Sequence, residues 1–181
     1  DILCRFAKAY PLVSLEVRIA RNTELQALIN EQHLDLALTW DTGQPSAHAK
    51  RLGETQMQWI GARDAPLLQG DADAPLPLVM FDAPCVMRSA ATQALDEAGI
   101  AWRIALTSPS VSGLWAAVAA GLGLTLRTGI GLPGYLTTLA GLPPLPTLGY
   151  VLQTTGNDLT APVRQLAELI QSSLEEPTFR G

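Results

Sequence analysis

The sequence predicts an α/β protein folded as two lobes with a cleft between them. Amphipathic helices alternate with short apolar strands along the 181 residues, which is the pattern of sheets covered by helices. A loop-like tract rich in Asp, Ala and Pro, from Asp64 to Pro77, interrupts that alternation and divides it into two units. A last strand and helix after Leu148 have no sheet of their own, so the chain is expected to return to the first lobe.

The elements follow in order. Asp1 can cap a first helix with Ile2, Phe6 and Ala9 on one face, stopped by Pro11. Ser14 to Ala20 alternates, with Leu15, Val17 and Ile19 on one side and Ser14, Glu16 and Arg18 on the other, which predicts a strand. Thr23 and Gln26 have the spacing of a capping box for a second helix that buries Leu25, Leu28 and Ile29. Asp35 to Trp40 and Met57 to Ala62 read as strands. In the second unit, Leu78 to Phe81 is a strand, Ser89 caps a helix to Ala98, and Gly99 stops it. Ala101 to Leu106 is a strand. Ser108, Ser110 and Ser112 then precede a short apolar helix that ends at Gly121 and Gly123, with a strand after it. Gly149 to Thr154 is the last strand, and Val163, Leu166, Ile170 and Leu174 mark a closing amphipathic helix. The result is two Rossmann-like lobes: residues 1–58 with 150–181, and residues 59–149.

Composition narrows the function. With 48% apolar and 16% charged residues the chain is globular rather than disordered. A net charge of −5 with scattered Lys and Arg argues against nucleic-acid binding by this segment, because phosphate contact needs a clustered positive face. Cys4 and Cys85 read as reduced thiols of a cytoplasmic protein. They form no zinc site with His33 or His48, so neither a metal nor a cofactor is expected. No membrane-spanning run is seen.

Catalytic signals are absent. Gly129, Gly131 and Gly134 match a dinucleotide fingerprint by letter, but Pro133 interrupts it and no acidic residue follows at the required distance. His33 reads as a helix-end residue and His48 as a solvated loop residue, neither beside a nucleophile. The acidic pairs Asp71/Asp73, Asp96/Glu97 and Glu175/Glu176 read as solubilising charge. Polar residues do gather at the strand–helix junctions expected to rim the cleft: Asn22 and Thr23, Thr39 to Asp41, Asp82 to Cys85, Ser108 to Ser112, and Arg127 with Thr128. Ser112 reads as a cap. Arg127 is the cation placed to pair with a carboxylate.

Three stretches resemble the effector-binding domain of LysR-type transcriptional regulators. They are Ile2 to Val17, with Phe6, Tyr10 and Pro11; Leu25 to Leu38, with Leu34-Asp35-Leu36-Ala37-Leu38; and Ala116 to Leu126, with Gly121 and Gly123. Gly141-Leu142-Pro143-Pro144-Leu145-Pro146 is similar to the LrhA-type subgroup. The resemblance implies a type 2 periplasmic-binding-protein-like fold, a small-molecule effector in the interlobe cleft, and a homodimer or homotetramer. It implies DNA binding through a winged helix-turn-helix domain absent from this chain, and a missing first strand of the effector domain. Matched residue by residue, it assigns the effector to Asn22, Thr23, Thr39, Trp40, Cys85, Ser108, Ser110 and Arg127, with no catalytic residues. Arg127 stands where the family pattern has proline. A solute-binding protein of a transporter is the second reading, and an enzyme on the same scaffold the third.

Overall fold

The chain runs through α1 (Ile2–Ala9), α2 (Asn22–Asn30), β1 (Leu36–Trp40), β2 (Ala49–Ala62), β3 (Leu76–Met80) and α3 (Val86–Glu97). It continues through β4 (Trp102–Thr107), α4 (Val111–Ala119), β5 (Thr125–Thr128), β6 (Leu136–Thr138), β7 (Thr147–Thr154) and α5 (Ala161–Glu175). This computed structural model describes residues 2–43, 48–63 and 74–175. Two units partition the chain, residues 1–54 with 148–181 and residues 55–147. The expected cap at Asp1, most of the Asp64–Pro77 tract and the pair Asp71/Asp73 lie outside the described residues, as does Glu176.

In the first unit, β7 lies between β1 and β2. It pairs antiparallel with β1, from Leu36 opposite Thr154 to Trp40 opposite Tyr150. Phe6 is the buried anchor of α1, its ring centroid 5.4 Å from that of Tyr10. From α5 the fully buried residues are Ala167 and Leu169, while Val163, Leu166, Ile170 and Leu174 are half-buried around them.

Two expectations fail in this unit. Ser14–Ala20 is not a strand: after the turn at Pro11 it runs without regular secondary structure, and Val17 and Ile19 are 62% and 97% exposed. Its alternation is that of a strand, but no strand among the described residues pairs with it, so its apolar side has nothing to pack on. The capping box also fails. Helix α2 starts at Asn22 with Arg21 at the N-cap and no side-chain cap, which puts Thr23 inside the first turn.

In the second unit, β5 and β6 both pair antiparallel with the later part of β2. β3 pairs in parallel with β4. The core joins Leu114, Trp115, Ala117 and Val118 of α4 to Ile60, Val79 and Leu136. Gly121 ends α4 with a positive φ of 75°. Gly123 then runs against β3 so closely that a Cβ would lie 2.5 Å from the Pro77 carbonyl oxygen. Hydrogen bonds from Leu124 N–H to Pro77 O and from Val79 N–H to Leu124 O hold that contact. Gly99 also stops its helix with positive φ, as the sequence predicts. The cap expected at Ser89 is instead Cys85, because α3 begins one turn earlier. The Gly129–Gly134 match falls in turns between β5 and β6.

Candidate functional site

The sequence singles out eight residues for an effector, four in each unit. In the first unit, Asn22 and Thr39 are committed to holding the fold. Asn22 Nδ2 donates to the Trp40 carbonyl at 3.0 Å, and Trp40 N–H donates to Asn22 Oδ1 at 2.7 Å. That pair of bonds ties the start of α2 to the end of β1, satisfying both backbone groups of Trp40. Thr39 is 4% exposed, and its hydroxyl oxygen accepts from Gln153 Nε2 at 2.9 Å. The Trp40 side chain is half-buried and Thr23 is exposed.

The second unit is arranged differently. Parallel strands β3 and β4 bring their carboxyl ends side by side, where Ser108 N–H donates to Met80 O at 3.0 Å. Ser108 is 7% exposed. Its hydroxyl lies 3.2 Å from the Ser110 N–H and 3.1 Å from the Ser110 carbonyl, closing the turn into α4. Ser110, not Ser112, is the cap: its Oγ accepts from Gly113 N–H at 3.1 Å. Ser112 Oγ lies 3.3 Å from Ser110 Oγ, extending the hydroxyl cluster to the helix surface. At Gly113 a Cβ would run into the Ser108 hydroxyl, so a larger residue there would have to displace the side chain that closes the turn.

Arg127 joins this unit from β5, where it pairs with Gln58. Its guanidinium carbon sits 4.7 Å from the centroid of the Phe81 ring, one residue past the end of β3. Burial pushes the Arg127 pKa down, while the nearby Cys85 acts in the opposite direction. Arginine stays cationic at any ordinary pH, so the result is a desolvated positive charge steadied by a ring face. Cys85 is half-buried and is a free thiol, as is exposed Cys4. The sequence reading missed Phe81. The signal available for it was an aromatic residue at the carboxyl end of a strand leading into a loop.

The remaining candidates divide. His33 is a surface residue, its Nδ1 3.4 Å from Glu31 Oε2. His48 is not solvated as expected: it sits just before β2, and its Nδ1 is buried without a hydrogen-bond partner. The reason is pairing, since Thr154 N–H donates to the His48 carbonyl at 3.0 Å and draws the residue against β7. Among the described residues no group of His, Cys, Asp and Glu could hold a metal ion, and no helix is long and apolar enough to cross a membrane.

Comparison with known proteins bears on the family and the fold. Residues 1–175 match the family described as the LysR substrate binding domain. The HTH-type transcriptional regulator PecT of Dickeya dadantii (strain 3937) is 31% identical over 154 residues, covering 83% of this chain and 48% of its own. The chain spans about half the length of the curated relatives it matches. Among solved structures, the regulatory domain of Synechocystis PCC6803 CcmR in complex with 2-PG has a TM-score of 0.73 at 16% identity, covering 97% of this chain and 90% of its own. The effector binding domain of QuiR in complex with shikimate has a TM-score of 0.72 at 13% identity, covering 95% and 88%. Both likenesses are of fold, the type 2 periplasmic-binding-protein-like α/β arrangement expected from the sequence.

Proposed function

Because the chain belongs to the LysR substrate-binding domain family, we propose that it senses a small carboxylate for a transcriptional regulator, with Arg127 receiving the carboxylate. The observation that carries this reading is the half-buried Arg127 guanidinium over the Phe81 ring. Desolvating a charge is costly unless something compensates it, and a carboxylate partner strengthens in the same dry setting. Ser108 and Ser110 stand at a strand end and a helix start of the same unit, so the unit offers hydroxyl groups as well as a cation. CcmR and QuiR, whose structures hold 2-PG and shikimate, support a small molecule as the ligand class. The curated relatives are HTH-type regulators, which favours regulation over transport.

In this reading the effector acts by binding one conformation of the domain better than another, and shifts its population by that difference in affinity. DNA contact belongs to another part of the whole protein, consistent with the acidic balance of this segment. The domain works in the cytoplasm as part of a homo-oligomer.

A thermal-shift screen of mono- and dicarboxylates, followed by calorimetry, tests the assignment. A ligand at 100 times its Kd adds about 2.7 kcal/mol to stability, a shift of several degrees in Tm. Arg127→Met is expected to weaken the carboxylate found by tenfold or more. The sign of the stability change follows from the lowered pKa. A base that binds its proton less tightly when folded carries a charge that opposes folding at every pH below its folded pKa. Arg127→Met is therefore expected to melt at neutral pH no lower than the parent. Equal affinity in the two proteins would remove Arg127 from the site.

A further inference from the structure

The first unit contains a cavity of about 390 Å³ between the start of β2, the end of β7 and the flank of α5. It is lined by His48, Lys50, Thr154, Arg164, Glu168 and Gln171, over an apolar floor that includes Leu152. None of these residues belongs to the set at Arg127, and each cavity residue lies in the first unit. In a chain of net charge −5, the lining carries two permanent cations and one carboxylate.

The polar groups are partly used, and in a way that leaves defined capacity. Lys50 Nζ donates to Gln171 Oε1 at 2.7 Å, which fixes the ammonium across the groove and leaves it two further donors. Arg164 donates through one terminal nitrogen to the Leu159 carbonyl at 3.0 Å, holding the guanidinium on its own helix start with other N–H groups available. Glu168 lies one turn beyond Arg164 on α5. His48 Nδ1 is removed from solvent with no partner, a condition that costs about 1–3 kcal/mol unless a bound group supplies one.

A simple anion suits this lining poorly, because it would meet Glu168 as well as the two cations. A simple cation suits it worse. A molecule carrying both signs at short separation matches it: a carboxylate toward Lys50 and Arg164 and an ammonium toward Glu168, with His48 in the wall. We propose that this groove is a second ligand site, separate from Arg127, that binds a small free α-amino acid as its zwitterion. The charged groups are exposed at the rim, so binding is screened by salt and falls in the weak range suited to sensing a metabolite pool.

The chain has two histidines, which makes the test direct. The imidazole nitrogens of His48 and His33 are followed by NMR while the common α-amino acids are titrated one at a time to millimolar concentration. The expected result is a saturable shift at His48 with at least one amino acid and none at the exposed His33. Propionate and propylamine, each carrying one of the two charges, are expected to bind at least tenfold more weakly than that amino acid. Arg164→Gln and Lys50→Gln are each expected to weaken it at least fivefold while keeping the parent's melting temperature. No saturable shift at His48 with any amino acid overturns the site, and equal binding of propionate overturns the zwitterion. Should a variant melt early, Glu168→Gln replaces it, with the same expected loss. Because His48 reports a different unit from Arg127, these outcomes are independent of the carboxylate assignment.

Discussion

At the end of β1, Asn22 spends its side-chain amide on both backbone groups of Trp40, and Thr39 is locked to Gln153. At the end of β3 and β4, the serines also close a turn, but in the same unit an arginine charge on β5 is held over an aromatic ring that follows β3. Both regions look alike in sequence, as polar residues where a strand gives way to a helix. The difference lies in what the side chain's strongest group touches. In the first region it satisfies the Trp40 backbone or the Gln153 amide, while in the second a half-buried cation lies over a ring face that cannot neutralise it. Polar residues at strand ends are thus of two kinds: those whose strongest group is spent on the fold, and a half-buried cation with no carboxylate partner among the described residues.

Four substitutions sharpen that contrast. The largest effect is expected from Gly123→Ala, since the new Cβ would meet the Pro77 backbone, which cannot yield as a flexible side chain could. A loss of about 3 kcal/mol is expected, read as a fall in Tm of roughly 6–12 °C. A fall of less than two degrees would show that β3 and the Gly123 turn separate easily. Next is Asn22→Ala, which strands the Trp40 N–H and carbonyl; a cost of about 2 kcal/mol by denaturant unfolding marks the residue as structural. Were its stability unchanged while carboxylate binding fell, the two regions would be of one kind after all. Smaller still is Ser110→Ala, which removes the α4 cap and is expected to cost about 1 kcal/mol, and the smallest is Ser112→Ala, expected near neutral. Reversal of that order would return the cap to Ser112.

Much of the element order was legible because helices and buried strands carry their period locally: β1, β3, β4, β7 and α5 all fall where the pattern places them. The early half of β2 was not. Ala49 to Gln56 is mostly polar and exposed, so alternation carries no signal there. Helix starts were also misread, at Ser89 for Cys85 and at Ser112 for Ser110, because capping depends on where the preceding strand lets the chain turn. Arg127 could be picked out as a charge where the resemblance calls for proline. Its ring partner Phe81 could not, because that contact joins residues 46 apart in sequence. His48 was read as solvated for a similar reason, its placement being set by Thr154, far along the chain.

The run from Leu12 to Ile19 bears on the protein's free energy of folding. Leu12 and Ile19 are almost wholly in water, and Val17 is mostly so. Burying an aliphatic side chain of this size releases about 1.5–3 kcal/mol, so these three leave on the order of 5 kcal/mol of hydrophobic burial unrealised. A domain of ordinary size is stable by only about 5–15 kcal/mol in total. Covering this run would release a gross transfer free energy near the lower end of that range, before the cost of ordering or association is subtracted.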